Sequence, residues 1–210
     1  MAGTDSPATQ QRETIMHDGD TITHAGLTFR VSIHHDDDHG APWDESDCHG
    51  PVSDWRHSSY SCYPEKAPGE RVLASDRGSY RYYNVAEATR IAKRDGWGLG
   101  DADMAKLEDK LGRAPTRGEV VAAAVEQDFD YLRRWCSGLW HYVGVIVTLL
   151  DTEGDETHES ESLWGIDSES PEYIAEVAQE LAEELAARIG DDAMLHVRTP
   201  ARDSYIRIRT

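Results

Sequence analysis

Between His34 and Trp55 the chain collects imidazoles, carboxylates, a thiol and two indoles, interrupted by Gly40, Pro42, Gly50 and Pro51. Those glycines and prolines forbid a long helix, so the segment is expected to be an exposed loop built from functional groups. His35, Asp37, His39, Asp47, Cys48 and His49 are the ligand types of zinc and related divalent ions. A metal site here requires at least three of these side chains to reach one point at about 2.0–2.3 Å. The spacing fits no standard template. With Gly40 as the sixth residue of a calcium loop, His35, His39 and Ser46 fall where carboxylates belong. Cys48, His49, His57 and Cys62 offer four ligands, but without CxxC or a helical HxxxH. A metal-dependent hydrolase would use the same loop to hold a metal-bound water, and His35-Asp36 is similar to the His-Asp pair of metal phosphohydrolases. The competing reading is a solvated loop whose Asp residues cap turns.

A second constellation is purely acidic. Asp155, Glu156 and Glu159 precede Glu172, Glu176, Glu180, Glu183 and Glu184, which recur along one helical face without a lysine among them. Each like-charged i,i+4 pair costs about 0.2–0.5 kcal/mol in an isolated helix. The formal charge of −19 is uneven, with residues 1–66 and 137–210 acidic and 67–99 mildly basic. Such a field repels phosphates and anionic lipids and attracts basic protein surfaces, so direct nucleic-acid binding by the whole surface is disfavoured. Spaced carboxylates also imitate the charge of a DNA backbone, which makes a DNA-mimic inhibitor one version of a partner-binding role. The competing reading is a solvated face that keeps the protein in solution. The third constellation interleaves Arg77, Tyr80, Arg81, Tyr82 and Tyr83 ahead of Arg90, Lys93, Arg94 and Trp97. Base stacking is one use for it; tyrosines filling a core face, with arginines neutralising nearby acids, is the plainer one.

Elements must position these groups, and the pattern predicts an α+β fold with small mixed or antiparallel sheets and packed helices. Residues 1–26 are expected to form a flexible arm, 27–100 a β-rich module and 101–210 an α+β module. Residues 27–33 alternate as a strand. Residues 71–74 and 79–83 form a hairpin around Asp76-Arg77-Gly78. A helix over 85–95 stops at Gly96, a short one covers 104–111, and Thr116 with Glu119 caps a third. Residues 140–150 predict a central strand paired with 162–166 and covered by a helix from Pro171 to Ile189, with Leu181 in the core. Residues 205–209 alternate as a closing strand. Cys136 on an apolar helical face reads as packing, and Gly96-Trp97-Gly98 follows a helix, so it ends that helix rather than cradling a phosphate. No GxSxG or Walker loop occurs. Three scattered cysteines, Cys48, Cys62 and Cys136, suit a reducing cytoplasm. The first residues lack the pattern of a signal peptide, and the longest apolar run, 142–150, falls short of the roughly 20 residues that span a bilayer. A cytoplasmic protein without membrane partners is the expectation.

Three blocks carry a resemblance: Gly40-Ala41-Pro42-Trp43 with His49-Gly50-Pro51-Val52-Ser53; Pro68 to Leu73 continuing through Arg81-Tyr82-Tyr83 to Arg94-Asp95-Gly96-Trp97; and Tyr142 to Val145 with Ser162 to Ile166. Over residues 27–189 the chain resembles accessory proteins of bacteriophages, prophages and other mobile elements of proteobacteria. The resemblance implies a small protein acting on host machinery and supplies no catalytic residues. Joined to the acidic blocks, it predicts a non-enzymatic binder of a basic host protein, nucleic-acid-binding proteins included, of the anti-CRISPR or anti-restriction kind.

Overall fold

Alternating apolar strands must find partners, and here they find them across most of the chain length. In the computed structural model the described residues are 15–57 and 66–198, the side chains of 191–198 excepted. Two units result, one from residues 1–37 with 142–210 and the other from 38–141. The first holds β1 (Thr21–His24) and β2 (Leu27–His35). The second holds a one-turn helix α1 (Pro42–Glu45), β3 (Arg56–His57), β4 (Glu70–Asp76), β5 (Ser79–Asn84), α2 (Val85–Asp95), α3 (Asp101–Leu111) and α4 (Arg117–Cys136). The chain then returns to the first unit with β6 (Tyr142–Leu150), β7 (Glu156–Asp167) and α5 (Pro171–Arg198). Helices packed on antiparallel sheets make the fold α+β, and among the described residues no helix is long and apolar enough to cross a membrane.

The first unit is an antiparallel sheet in the order β1-β2-β6-β7. Residues 140–150 were expected to supply a central strand, and β6 lies between β2 and β7. The register pairs Val31 with Val147 and Ile33 with Val145, so these side chains share one face with Phe29 and Val143. That face packs against Ile174, Val177, Leu181 and Leu185 of α5. Leu181 is core, as the helical stripe predicts, and α5 starts at Pro171 as expected. Glycine is required at 144, where a Cβ would stand 2.3 Å from the Trp164 ring. β7 begins six residues before the predicted Ser162.

The division of the chain differs from the expected break at residue 100. The reason is the β2–β6 pairing, which removes residues 27–35 from the module that follows them and joins them to the C-terminal third. The expected arm of residues 1–26 also contains structure: Thr21–His24 forms a hairpin with β2 through Ala25 and Gly26, both at positive φ. The proposed strand at 205–209 lies outside the described residues.

The second unit pairs β3-β5-β4, with Arg77 and Gly78 at positive φ in the predicted hairpin turn. Gly96 ends α2 in the left-handed region, and Thr116 and Glu119 form the full capping box of α4. The core joins Leu73, Tyr83, Ala88, Val121, Val125, Phe129 and Leu132. Tyr82 and Tyr83 are both buried, so the Arg/Tyr segment spends these rings on packing.

Candidate functional site

The six proposed metal ligands divide between the units. His35 and Asp37 pair with each other at 2.9 Å at the end of β2. The neighbouring Asp36 is buried and accepts the Gly165 amide at 3.0 Å, which fastens the end of β2 to a bend in β7. His39, Asp47, Cys48 and His49 belong to the second unit. Among the described residues no three His, Cys, Asp or Glu side chains gather as a metal-holding group, so the convergence that a zinc site requires is not found.

One member of the loop is held in a way that matters chemically. Residues 51–53 run beside β5, with Ser53 donating its amide to the Tyr82 carbonyl at 2.8 Å and Asn84 donating to the Pro51 carbonyl at 2.9 Å. This pairing brings His49 and Gly50 over Tyr83 and α4. Gly50 is obligatory, since a Cβ there would lie 2.4 Å from the Tyr83 hydroxyl. Asp128 of α4 is the anchor: it accepts the Gly50 amide at 2.8 Å and the Tyr83 hydroxyl at 2.6 Å, and its other oxygen meets His49 Nδ1 at 2.6 Å. Burial, with Asp128 accepting its proton, pushes the Tyr83 hydroxyl well above the usual phenol range. A carboxylate already accepting two N–H or O–H donors is an acceptor for His49 as well, which puts an imidazole proton on Nδ1 and turns Nε2 away from the pair.

The ring is stacked on Tyr131 at 5.6 Å, and Tyr131 in turn lies 4.4 Å from Trp140, whose Nε1 donates to the Tyr131 carbonyl at 3.0 Å. His49 is 17 % exposed against 9 % for Asp128. Among the described residues Nε2 has no hydrogen-bond partner, and it is not a sealed-off atom. His49 lines an open cavity of about 630 Å³ with Asp47, Trp97, Ala124, Asp128 and Tyr131 among its walls. Its charged walls are all acidic: Asp95 is paired with Arg94, while exposed Asp47 has no hydrogen bond or ion pair among the described residues. Aromatic walls with a few convergent polar groups are the common form of a small-ligand site.

Asp128 was absent from the sequence-derived candidates, although a signal for it exists. Val121, Val125, Asp128 and Leu132 follow the buried stripe of α4, and a carboxylate on such a stripe must find donors. Cys136, expected to be packing, joins the second-unit core, and burial raises its thiol pKa, the direction opposite to an activated nucleophile.

The proposed partner-binding carboxylates separate into two groups. On the hairpin, Glu156 meets Arg30 at 3.4 Å, and Glu159 meets Arg188, which also binds Glu161. Glu183 lies 3.8 Å from His24 and accepts from Gln179. Glu172, Glu176, Glu180 and Glu184 are exposed on α5, and like Asp155 they have no ion pair among the described residues. The continuous negative surface expected of a DNA mimic is therefore interrupted on β7 by Arg30 and Arg188. Comparison with protein-family models, curated proteins and solved structures gave no match for this chain.

Proposed function

We propose that residues 38–141 form a small-ligand-binding unit, and that its cavity takes a molecule with an apolar body and a cationic amine. The observation that carries this reading is the His49–Asp128 pair: a partly buried carboxylate holds one imidazole nitrogen and leaves the other accessible on an aromatic cavity wall. Trp97 and Tyr131 supply the surface for a ring, and the carboxylates supply the charge preference. Nε2 is placed to accept a hydrogen bond from the bound ammonium, with Asp128 holding the ring in position.

The test is an NMR titration with phenethylamine and phenylacetate, which share a ring and differ in charge. Phenethylamine should shift the Trp97 indole N–H saturably, and phenylacetate should not. His49→Gln should weaken the amine about tenfold or more, in line with a lost charge-assisted contact of about 1.5–3 kcal/mol. Equal responses to both probes, or none at Trp97, would remove the reading.

A second reading rests on a different observation, the unpaired ladder of Glu172, Glu176, Glu180 and Glu184. Four carboxylates about 6 Å apart on a packed helix form a surface for a basic protein, in keeping with the accessory role that the resemblance implies. Replacing the four with Gln should abolish capture of basic proteins from a bacterial lysate, while Glu159→Gln should leave it intact. Capture that is indifferent to the fourfold change would exclude this surface.

A further inference from the structure

In a chain this acidic, guanidinium groups find carboxylates readily. In the second unit Arg56 holds Glu70, Arg71 holds Glu126, Arg90 holds Glu87, Arg94 holds Asp95, Arg113 holds Glu119 and Arg133 holds Asp130. Arg81 does otherwise. Its guanidinium carbon lies 4.8 Å from the Trp43 ring centre and 5.0 Å from that of Trp55, and no carboxylate among the described residues pairs with it. Its Nε is buried with no hydrogen-bond partner. Ring faces attract the positive charge but supply no lone pair to the in-plane N–H groups, so the charge is steadied while Nε goes unanswered. An orphaned buried donor costs about 1–3 kcal/mol.

Arg81 lines a separate cavity of about 530 Å³, whose walls include Trp55, Val72, Leu73, Trp135 and Cys136. Trp135 packs edge-on against Trp43 at 5.2 Å, so one of the two indoles that hold Arg81 is itself braced. Two other charges reach this cavity: Arg133, paired with Asp130 at 3.0 Å, and exposed Asp76, which lies 4.0 Å from Arg77. Among the described residues that line the cavity, Arg81 is the cation without a carboxylate partner, set among largely apolar walls.

We propose that this cavity is a second binding site, for a monocarboxylate carried on an apolar or aromatic body, with Arg81 as its anchor. The fork of the guanidinium matches the two carboxylate oxygens, and the indoles restrict its orientation in advance, which lowers the ordering cost of binding. A single free cation matches a single negative charge. A phosphate dianion would call for a second one.

The site is tested by titrating the whole protein with phenylacetate while following the Arg81 Nε–H and Trp55 indole N–H signals. Both should move saturably with phenylacetate and stay fixed with phenethylamine. Arg81→Lys keeps the charge and loses the fork, and should weaken phenylacetate about tenfold or more. Wild-type titrations alone keep the proposal falsifiable if that variant fails to fold. It is overturned if Trp55 does not respond, if inorganic phosphate competes more strongly than phenylacetate, or if Arg81→Lys binds undiminished. The reporters separate this site from the His49 cavity, where Trp97 is the reporter and the amine is the active probe.

Discussion

Asp128→Ala is the perturbation that most directly questions the second unit. Removing the carboxylate leaves the Tyr83 hydroxyl and the Gly50 amide, both belonging to buried residues, without their acceptor. Each orphaned donor costs about 1–3 kcal/mol, and His49, partly exposed, can turn to water at little cost. The expected loss is therefore about 2–6 kcal/mol, a large share of the roughly 5–15 kcal/mol that holds an ordinary domain folded. Urea unfolding followed by tryptophan fluorescence isolates the effect, because Trp43, Trp55, Trp97, Trp135 and Trp140 lie in residues 38–141 and Trp164 alone lies outside. The sign of the double variant is the sharper test. Tyr83→Phe by itself should cost about 1.5–3 kcal/mol, the worth of a hydrogen bond to a charged group. Added to Asp128→Ala, however, it removes an orphaned hydroxyl and should leave the protein no less stable than Asp128→Ala alone. Additive losses, or an Asp128→Ala midpoint equal to wild type, would refute the network and with it the orientation of His49.

In the first unit, Leu181→Ala should cost about 2–5 kcal/mol through the cavity it leaves under the sheet, while exposed Glu180→Ala should be neutral; backbone circular dichroism during urea unfolding reads both. Arg113, with the amide and hydroxyl of Thr116, holds the Glu119 carboxyl at about 2, so its carbon should titrate there by NMR and not near 4.5. Because the folded value lies below the ordinary one, the capping box contributes in full above about pH 4.5 and is lost as pH falls through about 2; wild type and Glu119→Gln should differ in stability at neutral pH and converge in acid.

Most of the local architecture was legible because its causes are local. A hairpin that needs positive φ at two adjacent residues announces itself as Arg77-Gly78, a capping box as Thr116 and Glu119, and a helix packed on one side as the stripe through Val177, Leu181 and Leu185. What was not legible depends on partner choice over long separations. β2 was visible as a strand, but nothing within residues 27–35 names β6 as its neighbour, so the two-unit division that follows from that pairing was missed. The ion pairs of the acidic constellation were not legible for the same reason. Glu159 and Glu161 look uncompensated along the chain, yet Arg188 reaches them across 27 to 29 residues and Arg30 reaches Glu156 across 126. In the His34–Trp55 loop the residue types were legible but their grouping was not. Asp36 and His49 each satisfy a carboxylate–donor contact with a distant element, Gly165 in one case and Asp128 in the other, which draws them to different units. Reading such a loop therefore requires asking which buried group elsewhere lacks a partner. In α4 that group is the one carboxylate on an apolar stripe, and in β5 it is a guanidinium between indoles, which is why the two proposed sites rest on Asp128 and Arg81 rather than on the residues that first drew attention.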